Sequence, residues 1–191
     1  MANIKELLKK SKNTEALSIL KLAGKLTQKE NIEGYVVGGF VRDIFMRDSV
    51  NDVDIMVIGE GIPFAKKLAI KLGVQKIIPF ERFGTARIPH KKIQIEVSSA
   101  RTEDYKVTSR KPSKIQHTDL KGDLVRRDFT INAMAIDIHP DRFGKLEDPF
   151  GGILDIERKV LKTPLNSNET FSEDPLRVMR AAYFAAKLGF K

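Results

Sequence analysis

Two segments are the most informative in this chain: YVVGGFVRD, from Tyr35 to Asp43, and DVDIMVI, from Asp52 to Ile58. The first predicts a short apolar strand that turns through two glycines into a helix, and the second predicts an apolar strand that begins with carboxylates. Side chains two residues apart on a strand lie on the same face of the sheet. We therefore expect Asp52 and Asp54 to project together from one face.

This pair of carboxylates and the glycine turn before it each have a chemical use. Neighbouring carboxylates repel each other unless a cation neutralises them, and Mg²⁺ prefers oxygen ligands. Gly38 and Gly39 precede a helix, whose N-terminal N–H groups can bind phosphate. Alone, two glycines usually form only a turn, and an Asp-x-Asp segment is usually a solvated strand end. Together, a phosphate site and a metal site separated by one helix predict nucleotide chemistry.

The composition limits the class of protein. With 191 residues, 41% of them hydrophobic, the chain can bury the core of one domain, or of one domain and the start of another. It has no apolar run of the length that spans a membrane, about 18 residues, and no apolar segment typical of a signal peptide near Met1. Cysteine is absent, which excludes disulfides and thiolate zinc sites. We expect a cytoplasmic protein without membrane partners.

The net charge favours polyanionic partners. Lysine and arginine total 34 against 25 aspartate and glutamate residues, which gives a formal net charge of +9. Many proteins are simply rich in lysine, so this charge only supports the nucleotide interpretation.

The hydrophobic pattern predicts an α/β (α+β) fold. Helices are expected over residues 4–29 and 40–47, and a third has Pro63 in its first turn. Five strands are predicted, at residues 35–37, 52–58, 74–79, 85–89 and 93–97. These elements suggest a five-stranded mixed sheet with helices on one face.

The remaining segments are less regular. Residues 101–122 are basic with few apolar side chains, and predict a long loop that is either functional or merely solvated. A last helix is expected from Ser172 to Leu188, ended by Gly189. The pattern divides the chain into an N-terminal helical segment (1–30), a sheet domain (31–147) and a C-terminal helical segment (148–191).

A third carboxylate would complete a site for two metal ions, which phosphoryl transfer commonly uses. Glu96 is the candidate, because it occupies a polar position in the otherwise apolar segment from Ile93 to Val97. A charged residue of an edge strand, facing water, is nearly as good an interpretation.

Arginines supply candidate phosphate ligands in the segment RRDFTINA, from Arg126 to Ala133. The planar guanidinium fork suits phosphate oxygens. The two arginines, at the start of a helical segment, are alternatively surface residues, one of them paired with Asp128. Asn132 would add a polar group that could contact a ribose.

A third group of polar residues lies in EDPLRVMR, from Glu173 to Arg180. Asp174, Arg177 and Arg180 are spaced by three residues and would share one face of a helix. The simplest interpretation is an Asp–Arg ion pair. Alternatively, Asp174 accepts a hydrogen bond from an exocyclic amine while Arg177 donates to a ring acceptor, a combination that suits cytosine or adenine.

Taken in order, these motifs resemble those of the class II tRNA nucleotidyltransferase and bacterial poly(A) polymerase family, within the DNA polymerase β-like superfamily. The resemblance covers residues 33–190 and rests on five ordered motifs, which are Gly38-Gly39-Phe-Val-Arg42-Asp43, Asp52-x-Asp54, Arg126-Arg127-Asp128-Phe-Thr-Ile-Asn132-Ala, Asp148-Pro-Phe-Gly151-Gly152 and Glu173-Asp174-x-x-Arg177. It implies a polymerase β-like head domain (31–147) and the start of a helical neck domain (148–191).

The resemblance also implies roles for individual residues. Asp52 and Asp54 would bind Mg²⁺, with two ions expected. The incoming ATP or CTP would be bound by Gly38, Gly39, Arg42 and Arg127. Arg180 would hold phosphate. Asp174 and Arg177 would form an amino-acid template that selects the base. The basic segment 101–122 would correspond to a flexible loop used when the terminal A is added, which argues against an enzyme that adds only C.

The implied reaction is template-independent addition of C, A or both to the 3′ end of tRNA. Alternatives are a poly(A) polymerase acting on other RNA, transfer to a small molecule or protein, and a non-catalytic nucleotide- or RNA-binding module. Two departures from the family pattern stand out. Tyr183 replaces a frequent third arginine, and the sequence ends at Lys191, before the regions that bind the tRNA acceptor arm in relatives. The chain is then a piece of a longer protein or a minimal member.

Overall fold

The computed structural model describes residues 14–47, 52–106 and 109–191, and only the backbone at 103–106 and 109–114. The helices are α1 (Thr14–Glu30), α2 (Gly39–Met46), α3 (Gly61–Lys71), α4 (Leu120–Val125), α5 (Gly152–Arg158), α6 (Ser167–Glu173) and α7 (Leu176–Leu188). The strands are β1 (Gly34–Val37), β2 (Asp52–Val57), β3 (Ile78–Phe80), β4 (Thr85–His90), β5 (Ile93–Ser99), β6 (Arg101–Lys106), β7 (Ser109–His117), β8 (Ala135–Asp137) and β9 (Leu146–Glu147). The part of the predicted first helix before Thr14 lies outside the described residues.

The main sheet is mixed, as predicted, but has seven strands rather than five. Their order is β3-β4-β5-β2-β1-β8-β9, and within it only β2 and β5 are parallel. The sequence pattern missed β8 and β9 because they contain three and two residues, too few to show an alternation. The predicted strand at 74–79 is shorter than expected, since β3 begins at Ile78.

The two faces of this sheet differ in chemistry. On one face α1, α2 and α3 cover a large apolar core that includes Val53, Ile55 and Val57 of β2. On the other face a smaller cluster joins Met56 and neighbouring residues to Leu124 of α4. Asp52 and Asp54 share this second face with Met56, because strand residues alternate. Helices thus lie mainly on one face, and the carboxylates lie on the face opposite α1, α2 and α3.

The basic segment 101–122 is not the predicted loop. Its residues form β6 and β7, an antiparallel pair separate from the main sheet, and then begin α4. The pairing runs from Arg101 opposite His117 to Lys106 opposite Ser109. Main-chain hydrogen bonds hold such a pair together, and they require no apolar alternation that the sequence would reveal.

The C-terminal helices pack directly against the sheet domain. Phe129 and Ile131, which follow α4, form a small core with Phe184 and Phe190. Asp148 accepts hydrogen bonds from the first N–H groups of α5, at 2.7 Å from Gly152 N. No helix among the described residues combines the length and the apolar character needed to cross a membrane.

The predicted helix from Ser172 to Leu188 is interrupted. Ser172 belongs to α6, which ends at Glu173, and α7 begins only at Leu176. The reason is Pro175, since a residue before proline is disfavoured in helical geometry. Asp174 is accordingly extended, with φ −140° and ψ 99°. The predicted end at Gly189 is confirmed, with a left-handed φ of 67°.

We predict that Gly152→Ala destabilises the protein. A Cβ at this position would lie 2.4 Å from the carbonyl oxygen of Thr130, so α5 must move away from the segment that follows α4. Overpacking of this kind costs about 1–3 kcal/mol. Urea denaturation measures the loss, with Leu154→Ala on an exposed position of α5 as the control. Equal stability of the two variants would contradict the packing described here.

Candidate active site

A cavity of about 540 Å³ lies between the N-terminus of α2 and one side of α7. All residues predicted to bind nucleotide line it, together with Asp54, whereas Asp52 and Glu96 are not among its lining residues. Basic side chains predominate over acidic ones, so the cavity favours a polyanion. Its lining consists of Gly38, Gly39, Arg42, Asp54, Arg101, Arg126, Arg127, Asp128, Asn132, Asp174, Arg177, Arg180, Tyr183, Phe184 and Lys187.

Gly38 brings the parts of the cavity together at the turn into α2. Its φ of +70° is a left-handed conformation that suits glycine. A Cβ added there would lie 3.0 Å from Arg127 Nη1 and 3.6 Å from Asp54 Oδ2. The absence of a side chain therefore lets a guanidinium and a carboxylate approach the same turn from which α2 starts.

The carboxylates lie on two neighbouring strands. In the parallel pairing of β2 with β5, Asp54 is opposite Glu96. Glu96 is not on an edge strand, as one interpretation of the sequence had it, because β5 lies between β4 and β2. Its carboxylate accepts a hydrogen bond from Arg87 Nε at 3.1 Å, and both side chains are partly exposed. Within the described ranges, no group of three or more His, Cys, Asp or Glu side chains is arranged to hold a metal ion.

Asp54 has an unusual affinity for its proton. Burial, followed by repulsion from Glu96, raises the pKa of Asp54 to about 6, although the charge of Arg127 opposes the shift. The folded protein thus holds a carboxylate that carries a free-energy cost when ionised. A cation bound beside Asp54 would remove this cost, and oxygen donors on one face are the ligand type that Mg²⁺ prefers.

A buried carboxylate, Asp123, holds the two arginines of the RRD segment. Its Oδ2 accepts from Arg127 Nε and Nη2 at 3.1 and 2.8 Å, and its Oδ1 accepts from Arg126 Nε and Nη2 at 3.1 and 2.7 Å. The alternative pairing with Asp128 is wrong. The arginines follow α4 instead of starting a helix, so their guanidiniums meet an acid three and four residues earlier.

Burial and charge act in opposite directions on Asp123. Its side chain is fully buried, which by itself favours the neutral acid. The charges of Arg127 and Arg126, with their hydrogen bonds, outweigh burial and lower the pKa of Asp123 below its ordinary value. The carboxylate is therefore ionised at neutral pH. The sequence carried a usable signal, since acid–base spacings of three and four residues bring side chains together on a helix.

Asp128 links the sheet domain to α7. Its Oδ2 accepts from Arg180 Nε at 2.7 Å, and its Oδ1 accepts from Asn132 Nδ2 at 3.0 Å. Asn132 Oδ1 in turn accepts from Arg42 Nη1 at 2.6 Å. The amide of Asn132 is thus engaged on both sides in this structure, where it fixes the guanidinium of Arg42.

Phe184 contacts two of the cavity's guanidiniums. The Cζ atoms of Arg42 and Arg180 each lie 5.1 Å from the centre of its ring. Contacts of this length between a cation and an aromatic face are stabilising. Sequence reasoning missed this role, because a phenylalanine on the inner side of a helix reads as ordinary core.

Asp174 and Arg177 both line the cavity but do not form an ion pair. Arg177 is buried and donates to Glu173 Oε2 and Thr170 O at 3.2 Å and to Arg126 O at 2.8 Å. The Oδ1 of Asp174 accepts from Leu176 N at 3.0 Å. The predicted shared helical face is wrong, because Pro175 places Asp174 outside α7.

Tyr183, at the position where the resemblance predicts an arginine, lines the cavity. Its side chain is 56% exposed. The ammonium of Lys187, one turn later on α7, lies 5.7 Å from the centre of its ring. A positive charge is therefore present near this position although the arginine is not.

A model of the poly A polymerase head domain matches residues 34–162 of this chain. The A-adding tRNA nucleotidyltransferase of Aquifex aeolicus is 44% identical over 84% of this chain and 19% of its own length. The CCA-adding enzyme of Streptococcus uberis is 36% identical over 93% of this chain and 41% of its own length. The chain thus spans less than half the length of these curated relatives.

Solved structures agree with these sequence matches. A CCA-adding enzyme in its apo form II superposes with a TM-score of 0.89 at 35% identity, over 99% of this chain and 44% of that one. A tRNA nucleotidyltransferase complexed with a primer tRNA and an incoming ATP analog gives a TM-score of 0.77 at 40% identity, over 88% of this chain and 46% of that one.

We predict that Asp54→Asn stabilises the metal-free protein at alkaline pH. Folding raises the affinity of Asp54 for its proton, so ionised Asp54 destabilises the fold as the pH rises above the ordinary value of 3.8, and fully above about 6. Removing the charge should raise the free energy of unfolding by about 1–2 kcal/mol at pH 8, after allowance for partial exposure. Near pH 4 the gain should disappear.

Denaturation in EDTA at pH 4, 6 and 8 measures this effect. Asp52→Asn, at the exposed start of the same strand, is the control and should change stability by no more than about 0.5 kcal/mol. A destabilised Asp54→Asn variant at pH 8 would contradict the assignment of a costly charge.

Proposed function

Because this chain belongs to the poly A polymerase head-domain family, we propose that it carries the nucleotidyl-transfer site of an enzyme that extends the 3′ end of tRNA. The observation that carries the proposal is the cavity in which the turn at Gly38, the carboxylate of Asp54 and a set of guanidiniums converge. In the proposed reaction an RNA 3′-hydroxyl attacks the α-phosphate of ATP or CTP, and pyrophosphate leaves.

The triphosphate would lie at the N-terminus of α2. Gly38 and Gly39 leave room for phosphate oxygens beside the first N–H groups of that helix. Arg127, with its Nη1 beside Gly38, would contact the nucleotide from one side, and Arg180 would hold phosphate from α7. Arg42 is held by Asn132 and Asp43, and its charge would act from within the cavity wall.

Asp52 and Asp54 would hold Mg²⁺, and two ions are the expected number. The fit rests on the raised pKa of Asp54, whose charge lacks full compensation, and on the shared face of the two carboxylates. Bound there, the ion supplies positive charge beside the phosphates and lowers the pKa of an attacking hydroxyl. Glu96 is the proposed third carboxylate, and it would have to exchange its contact with Arg87 for the metal.

Asp174 and Arg177 would select the base. An exocyclic amine of cytosine or adenine would donate to the carboxylate of Asp174, and Arg177 would donate to the ring nitrogen. In this structure Arg177 donates to Glu173 and to two backbone carbonyl oxygens. These contacts use three of the five N–H donors of the guanidinium, so Arg177 retains donors for the base while Glu173 and the carbonyl oxygens hold it in place.

The acceptor would be tRNA. A related enzyme is solved with a primer tRNA and an ATP analog, and this chain carries a net charge of +9 that suits a polyanion. Both A-adding and CCA-adding enzymes are among the relatives. Primers that end in CC and primers that end before CC separate the two activities, because only a CCA-adding enzyme extends the second with CTP.

We predict that Asp52→Asn and Asp54→Asn each abolish nucleotide incorporation while the protein stays folded. Each loses a proposed metal ligand, which commonly costs at least about a hundredfold in rate. Labelled CTP or ATP is supplied with tRNA lacking its 3′ end, to the chain alone and within any longer protein that contains it. Asp141→Asn, an exposed carboxylate outside the cavity, is the control. Incorporation at the unmodified rate by either variant would reject the metal assignment.

We also predict that Asp174→Asn changes the choice of nucleotide more than the overall rate. The substitution replaces one acceptor oxygen with a donor, so discrimination between CTP or ATP and the other two nucleotides should fall about tenfold or more. Competition among the four NTPs measures it, with Ser172→Ala as a nearby exposed control. An equal loss for all four nucleotides would count against base selection by Asp174.

A further inference from the structure

Asp123 is the one fully buried carboxylate among the described side chains near the cavity, yet it does not line the cavity. Its Oδ1 accepts two hydrogen bonds from the guanidinium of Arg126, and its Oδ2 accepts two from the guanidinium of Arg127. Arg101 N also donates to Asp123 Oδ1, at 3.3 Å. Three residues that line the cavity therefore depend on a single side chain behind them.

The orientation of Arg127 follows from this pairing. Its Nε and Nη2 face Asp123, so its third nitrogen, Nη1, faces the turn at Gly38. Arg126 transmits the same constraint further, since its Nε donates to the carbonyl oxygen of Arg101, at the start of β6, at 2.8 Å. Its own carbonyl oxygen accepts from Arg177 Nη2 at 2.8 Å. Asp123 thus sits behind a group of cavity cations that come from different parts of the chain.

We propose that Asp123 is a positioning residue for nucleotide binding, which acts by holding the guanidinium of Arg127 against the turn at Gly38. The inference rests on the proposed function, because it assumes that a nucleoside triphosphate occupies the cavity. Asp123 itself touches no ligand. Its contribution is to fix the direction in which Arg127 presents its remaining N–H groups.

A purely electrostatic role predicts the opposite effect on binding. Asp123 is negatively charged, and a negative charge close to the cavity repels a triphosphate. If charge alone mattered, removal of Asp123 would tighten nucleotide binding. If Asp123 orients Arg127, its removal weakens binding, because a misdirected group loses much of its effect even after a displacement of about 1 Å.

The test measures the dissociation constants of the magnesium complexes of ATP and CTP for the 191-residue chain and its Asp123→Asn variant by titration calorimetry. The expected result is an increase of about tenfold or more. Asp137→Asn is the matched control: Asp137 is also buried and accepts from Arg142 Nε at 2.7 Å, but it does not line the cavity. It should lower stability without changing affinity.

A double-mutant cycle separates positioning from general structural support. In an Arg127→Ala background, Asp123→Asn should change the dissociation constant by less than about twofold, because the group it positions is gone. A further tenfold loss in that background would overturn the proposal. If the Asp123→Asn variant does not fold, the Asp123→Glu variant is measured in its place. Glutamate keeps the negative charge but displaces the carboxylate by one methylene, so this variant should also weaken nucleotide binding.

The outcomes distinguish this inference from the proposed function. If the unmodified chain binds neither nucleotide, the proposed function fails and the inference with it. If the unmodified chain binds and the Asp123 variants bind equally well or more tightly, the inference alone is overturned.

Discussion

The alternation of side chains along β2 places an apolar core on one face of the sheet and the acidic pair on the other. Val53, Ile55 and Val57 are buried under the helices, so Asp52 and Asp54 must emerge on the opposite face. A slip of one residue would turn the carboxylates into the apolar core, which is prohibitively costly. The large core on one face therefore specifies the position of the acidic pair on the other, and no separate interaction is needed to place it.

A second constraint is the assembly of several guanidiniums around one cavity. Like charges repel, and the structure balances them with carboxylates set behind or between the arginines. Asp123 pairs with Arg126 and Arg127, and Asp128 pairs with Arg180. Phe184 adds an aromatic ring whose centre lies 5.1 Å from the Cζ atoms of both Arg42 and Arg180. The cavity keeps a positive character because its lining contains more basic than acidic side chains, and Asp123, which neutralises part of the charge of Arg126 and Arg127, lies outside that lining.

The parts of the fold that the sequence predicted are those with strong local patterns. The strand at β2, the glycine turn and α2 follow from periodicity and glycine placement, and they are confirmed. The missed elements lack such patterns: β8 and β9 are too short, and β6 and β7 are polar along their length. Pro175 predicts the break before α7, because the residue before a proline is disfavoured in a helix. The spacing of Asp174 and Arg177 favoured a continuous helix instead.

For the site, the sequence identified most of the cavity's charged residues but not their partners. The order of the motifs predicted that Arg127, Asp174 and Arg180 belong to one site, and in the structure all three line one cavity. Which acid holds which arginine depends on tertiary geometry, since Asp128 meets Arg180, 52 residues later in the chain. Asp123 was passed over because an acid just before two arginines resembles any charged surface turn until its complete burial is known.

Asp52 and Asp54 are proposed to hold a divalent cation beside a triphosphate bound at the Gly38 turn. Crystals soaked with Mn²⁺ and a non-hydrolysable CTP or ATP analogue can locate both groups, because anomalous scattering identifies the metal without ambiguity. We expect an anomalous peak within coordination distance of both carboxylates, with the phosphates at the start of α2 near Arg127. A metal bound elsewhere, or a nucleotide outside the cavity, would rule out this arrangement.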